Sequence, residues 1–209
     1  MQPLFKKEDL YIVPRWTDNI KDEWINPLIL QACELYFYDG ISAPLYDAIY
    51  SAVKNIIAGT SGLQWSSSTA YSINQVVFDN GFYYKALTSI SIGAEEPASN
   101  PDWALDSLAN FWAEFVKPYL IYRSYNSFLL WHGKHISQGG FRKHTDNTSF
   151  EISPDELGYL LGDTRNIISI KEKRMMNYLF SVEYKFNGIQ YEYNDNSRPS
   201  QGTFNIFSV

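Results

Sequence analysis

A single cysteine, Cys33, in a chain of 209 residues excludes an internal disulfide. It falls in an apolar helical pattern, where a buried free thiol is the usual reading, so a reducing compartment is expected. Histidine is nearly as scarce, with His132, His135 and His144 the only three. The first two are spaced H-x-x-H, but no cysteine lies nearby and no H-E-x-x-H occurs, whereas zinc needs three or four ligands at recognisable spacing. Polar or interface histidines are the expectation, with no metal and no cofactor. No apolar run approaches the roughly 18 residues of a membrane span, so no membrane partner is expected. The opening MQPLFKKEDLYIVPRW lacks the charged start, apolar stretch and small-residue cleavage site of a secretory signal, which predicts a chain not exported by that route.

Basic blocks are missing beyond short pairs such as Lys6-Lys7. With a formal charge of −6 and a pI near 5.1 the chain has no general attraction for phosphate backbones or anionic lipid, so nucleic acid is not expected as a direct partner. Catalytic signatures are missing as well. There is no G-x-S-x-G and no cysteine nucleophile motif, and Gly59-Thr60-Ser61-Gly62 lacks both the lysine and the preceding strand of a phosphate loop. The acid pairs Glu95-Glu96 and Asp155-Glu156 read as solvated groups or helix starts rather than as glycosidase carboxylates. The expectation is a protein that is not an enzyme.

What the chain has in quantity is aromatic surface: 16 Tyr, 13 Phe and 6 Trp make up 17% of it. Such side chains fill the core of a small domain, or give surfaces exposed alone and covered on assembly; composition leaves both readings open.

Helical periodicity starts after Thr17-Asp18, either of which can cap, and runs through Ile25, Leu28, Ile29, Ala32 and Tyr36. Pro27 marks a kink or the true first turn, and Asp39-Gly40 ends the helix through a left-handed glycine. A second helix follows Ser42-Ala43-Pro44, with Leu45, Ile49, Val53 and Ile56 on one face, and stops by Gly59. From about 61 to 106 the pattern changes to short strands, with Asn80-Gly81 between VVFD and FYYKA as a type I′ hairpin signal. Helical spacing returns with Leu108, Phe111, Trp112 and Phe115 and continues past Pro118 through Ile121, Tyr125 and Phe128. Residues 133 to 152 read as a long loop or flexible hairpin. Ser153-Pro154-Asp155-Glu156 then opens a helix to about Phe180, with Gly162 as a bending point. Alternating Val182, Tyr184, Phe186 and Ile189, Tyr191, Tyr193 around Asn187-Gly188 predict a second hairpin. The segment 203 to 209, TFNIFSV, is a further strand for this sheet or for a neighbouring subunit. The fold class is α+β: a helical bundle of residues 1–60 and 107–209 interrupted by a small all-β insertion, 61–106, with a C-terminal β-hairpin.

Trp65, Thr69-Ala70-Tyr71, Val76-Val77, Asn80-Gly81, Tyr84-Lys85-Ala86, Pro97 and Pro101-Asp102-Trp103 together resemble the small carbohydrate-binding modules of family 5/12 attached to chitinases and cellulases. The resemblance implies a glycan partner and makes Trp65, Tyr71, Tyr84 and Trp103 the candidate sugar-binding residues; as the core of a small domain, the same four need bind nothing. The family's stacking aromatics that follow Y-K-A are replaced here by Leu87, Thr88 and Ser89, so the fold carries over better than the ligand.

The helical frame, INPLILQACELYFYDGISAPLYDAIYSAVK and then FWAEFVKPYLIYRSYNSFLLWHGKHISQGGFRKHTDNTS with the Ser153-Pro154 cap, resembles head-tail connector (neck ring) proteins of tailed phages, of the crAss-like type. That resemblance implies a virion structural protein made in the host cytoplasm and located in the neck or tail region. Its partners would be further copies of itself in a ring, usually a dodecamer, together with the portal protein and adjacent neck or tail proteins. DNA would enter only as cargo passing through the channel.

Overall fold

The computed structural model describes residues 1–13, 20–139 and 154–181. Over these the chain is mixed α+β, with a short 3-10 turn (Lys7–Ile12), five α-helices and one four-stranded sheet. The helices are α1 (Asp22–Cys33), α2 (Ala43–Ala58), α3 (Ser107–Phe111), α4 (Lys117–Gly139) and α5 (Pro154–Ser181). The strands, all between α2 and α3, are β1 (Leu63–Gln64), β2 (Val76–Asp79), β3 (Phe82–Ala86) and β4 (Trp103–Leu105). Two π-helical turns, Glu34–Tyr38 and Trp112–Val116, extend α1 and join α3 to α4.

The π turns follow from apolar spacing. Ile25, Ile29, Cys33 and Phe37 are buried at steps of four, as are Leu108, Trp112, Val116 and Leu120. A straight α-helix of about 3.6 residues per turn rotates such a series steadily off one face. A wider π turn takes up the surplus and returns the last members to the core. The second π turn also directly precedes Pro118, whose ring would otherwise press on the carbonyl four residues back.

Local signals explain most helix ends. The Ser42 hydroxyl accepts from the Leu45 backbone N–H at 3.3 Å and Pro44 lies in the first turn. Gly59 closes α2 at φ +77°, the left-handed conformation that glycine adopts without steric cost. Asp106 caps α3 by accepting from Ala109 N–H at 3.0 Å. The start of α1 differs from expectation: it begins at Asp22 with Lys21 at the cap, while Thr17 and Asp18 lie outside the described residues. Asp22 and Glu23 in the first turn offset the missing side-chain cap by facing the positive helix end. Pro27 sits inside α1, so it does not mark the first turn.

Gly40 corrects a second expectation, since it is not among the glycines with positive φ. It is small for a different reason: a Cβ there would lie 2.8 Å from the Leu35 carbonyl oxygen and 3.2 Å from that of Tyr36. The expected loop at 133 to 152 is corrected in its first part, because α4 continues to Gly139. An interior glycine such as Gly133 costs about 1 kcal/mol, which a long preceding helix absorbs because each added residue gains a hydrogen bond without a new nucleus. Residues 140–153, including the Ser153 cap, and the predicted strands of 182–193 and 203–209 lie outside the described residues.

One core is built from α1, α2, α3 to α4 and α5, with Phe37, Ile49, Phe111, Tyr119, Leu120 and Met175 nearly inaccessible. Leu4 and Phe5 from the start of the chain are equally buried in it. Trp112 Nε1–H donates to the Leu4 carbonyl at 2.8 Å, and the Tyr46 hydroxyl donates to that of Gln2. Ion pairs Lys7–Asp22 (2.7 Å) and Lys117–Asp9 (2.6 Å) flank this arm.

The sheet order is β1-β2-β3-β4, with β1 parallel to β2 and the other pairs antiparallel. Asn80 (φ 48°) and Gly81 (φ 90°) make the predicted two-residue turn, with Asp79 opposite Phe82. Alternation splits the side chains between two faces. Val77, Tyr84, Ala86 and Trp103, with Tyr71 and Ile90, form a second hydrophobic cluster on one face. Val76, Phe78, Tyr83, Lys85 and Ala104 occupy the other, from which Tyr83 packs on the helical core at 6.3 Å from Trp112.

Candidate functional site

The four candidate sugar-binding aromatics are brought together, but on unequal terms. Tyr71, Tyr84 and Trp103 are 7%, 8% and 6% exposed and belong to the second hydrophobic cluster, where their ring faces are already covered. Tyr71 and Trp103 meet edge to face at 5.4 Å. The Tyr71 hydroxyl bridges a turn, accepting from Ser66 N–H at 2.7 Å and donating to Ser66 C=O at 3.1 Å. Trp103 Nε1–H is buried without an acceptor among the described residues. Trp65 differs from these three: it is half-buried at the edge of the cluster and lines a shallow recess with Ala94, Glu95, Glu96 and Ser99. Leu87, Thr88 and Ser89 are exposed, so the surface beside Ala86 carries no aromatic ring. Any stacking platform among the four therefore rests on Trp65.

A larger cleft of about 620 Å³ lies between α2 and the face of the sheet opposite that cluster. Ser51 and Asn55 of α2 line it together with Val76, Lys85 and Ala104 of the sheet, and Asn74 and Asp106 also border it. Sequence reasoning did not find it, because its two walls come from segments that carry no joint motif.

Within the helical frame the one extended polar cluster described centres on Arg123. Its guanidinium pairs with Glu172 at 3.1 Å, donates from Nε to the Tyr119 hydroxyl at 3.1 Å and lies 4.3 Å from the Tyr36 ring centroid. This fastens the π-helical extension of α1, α4 and α5 to one another. Burial raises the Tyr119 hydroxyl pKa well above the ordinary tyrosine range, and the Glu172 carboxylate adds to the shift. Burial likewise raises Tyr46 and Tyr83, and pushes the Cys33 thiol up to about 11. Lys171 is lowered by desolvation and by the neighbouring Arg174. These groups are scattered over packing positions and converge on no common pocket. Among the described residues no three His, Cys, Asp or Glu side chains are grouped to hold a metal ion, and no helix is long and apolar enough to cross a membrane. The side chains of His132, His135 and His144 are outside the described set.

Asn110 is a structural residue that sequence reasoning also missed. Its Oδ1 accepts from Tyr83 N–H at 2.8 Å, while its Nδ2 donates to the carbonyls of Tyr83 (2.8 Å) and Asp106 (2.9 Å). It joins β3 to the first turn of α3.

No family model matches the chain, and none of the curated proteins or solved structures does.

Proposed function

We propose that the chain is a virion structural protein, a subunit of the head-tail connector ring that extends the portal channel of a crAss-like phage, and not an enzyme. The resemblance of the helical frame is the starting point. The observation that carries the reading is the set of large apolar side chains left in solvent along that frame: Trp24, Leu30, Leu35, Leu130, Tyr159 and Ile170. They are spread over α1, its π-helical extension, α4 and α5, as suits a subunit covered by neighbours on more than one side. Ring closure requires heterologous contacts, one patch of each copy meeting a different patch of the next. In this reading residues 61–106 are an inserted β domain that projects from the ring wall. The portal and adjacent neck or tail proteins are the partners, and DNA passes through the channel. Native mass measurement and electron microscopy of the full chain, with and without portal, test it. A closed ring, a dodecamer by family habit, is expected; a protein that stays monomeric and has no affinity for portal overturns the proposal.

A glycan-binding adhesion module on a helical mount is the second reading, favoured by one observation, the half-exposed Trp65 beside Glu95 and Glu96. It requires Trp65→Ala to abolish binding on a glycan array while the fold is retained.

A further inference from the structure

The cleft between α2 and the sheet gathers polar side chains around one half-buried lysine. Its floor is a single cross-strand row, Val76, Lys85 and Ala104. Lys85 is half-buried between two aliphatic neighbours, and no carboxylate, hydroxyl or ring among the described residues engages its ammonium group. A lysine whose stem is covered keeps its ammonium group beside water or an anion. Ser51 and Asn55, one helical turn apart on α2, together with Asn74 and Ser107, are exposed and have no side-chain hydrogen bond among the described residues. Asn74 also holds a positive φ of 66°, a conformation uncommon outside glycine. Asp106 shares the rim, with Oδ1 occupied by Ala109 N–H at 3.0 Å and its other oxygen open to a donor.

We propose that this cleft binds a small hydroxylated carboxylate, with a sugar acid as the ligand class. Its carboxylate pairs with Lys85, its hydroxyls meet Ser51, Asn55, Asn74 and the open oxygen of Asp106, and its apolar ring edge lies on Val76 and Ala104. Two alternatives fit less well. A bare polyanion such as phosphate would face the Asp106 carboxylate, and a neutral sugar would leave Lys85 without its counterion. The volume, about 620 Å³, falls inside the roughly 300–1,000 Å³ of small-molecule sites, which favour junctions between packing units. The inference is independent of the ring reading and concerns a different surface from the Trp65 recess.

Titration calorimetry of the full chain with glucuronate, glucose and inorganic phosphate tests it. Glucuronate is expected to bind, with glucose and phosphate each at least about tenfold weaker. Lys85→Gln should weaken glucuronate by about tenfold or more. Ser51→Trp, at an exposed helical position, should block the cleft while circular dichroism stays unchanged. No binding of glucuronate, equal binding of glucose, or phosphate as tight as glucuronate each overturns the proposal. So does loss of binding on Trp65→Ala with Lys85→Gln unaffected, which would move the sugar to the Trp65 recess.

Discussion

Asn110→Ala should weaken the joint between the sheet and the helical frame while the packing of Tyr83 on Trp112 stays in place. Asp106 N–H still donates to the Tyr83 carbonyl at 2.9 Å, but Asp106 then turns to cap α3, and its own carbonyl accepts from Asn110 N–H at 2.9 Å and not from Tyr83. The Tyr83 N–H is left to the Asn110 side chain, whose amide completes the ladder in place of a strand. Truncation to alanine deletes three hydrogen bonds and leaves the Tyr83 N–H without an acceptor. The site is half-buried, so water recovers part of the loss, and the expected cost is about 2 kcal/mol. For a chain of this size that lowers Tm by about 4–8 °C. Ser107→Ala, on the same turn but exposed and without a side-chain hydrogen bond, should stay within about 0.5 kcal/mol. Thermal melts followed by circular dichroism measure the cost, and hydrogen exchange locates it, since the Tyr83 amide should lose protection in Asn110→Ala. A variant within about 0.5 kcal/mol of the wild type, with Tyr83 still protected, would refute the assignment of Asn110 as the joint.

Two further outcomes are expected. The Cys33 thiol, raised from 9.0 to about 11 chiefly by burial, should resist thiol reagents until the protein unfolds. Because the folded state holds this proton more tightly than the unfolded state, its contribution to stability is full below pH 9 and is lost as pH rises towards 11. Denaturant midpoints against pH should show that fall, and Cys33→Ala should flatten it; the raised pKa values of Tyr46 and Tyr119 add a separate fall above pH 10. At Gly40 an added methyl meets backbone oxygen at 2.8 Å that no rotamer change can move, so Gly40→Ala should cost about 1–3 kcal/mol. Gly59→Ala meets open space and costs only its positive φ, about 1 kcal/mol; the reverse order in denaturant melts would show that the close approach is relieved cheaply.

The legible parts of the fold are those whose signal lies within a few residues. Asn80-Gly81 specifies its turn through two positive φ values. Ser42 and Pro44 specify the start of α2 through one cap bond and one ring-locked φ. The long helix from Pro154 follows its acidic first turn and apolar spacing. The start of α1 was misread because Thr17 and Asp18 are good caps in isolation, while the helix begins where Ile25 can reach the core. The run of α4 through Gly133 was misread because local glycine preference was weighed without the helix before it. Of the site, the aromatic positions were legible, but which ring faces solvent was not. That depends on the sheet's two faces: a register shift of one residue would exchange Tyr84 with Tyr83 between the cluster and the helical core.

The sequence alone therefore determined the class of the chain, α+β, the order of most elements, and their caps and turns, because these depend on residues within about one helical turn or one tight turn of each other. Only the tertiary structure decided that Leu4 and Phe5 belong to the core, that Asn110 completes the ladder of β3, and that Lys85 lines a cleft between α2 and the sheet. Each depends on contacts between distant segments, as in the Trp112 indole bond to a carbonyl 108 residues away. Burial and hydrogen-bond partnership are properties of such contacts, and no local pattern encodes them.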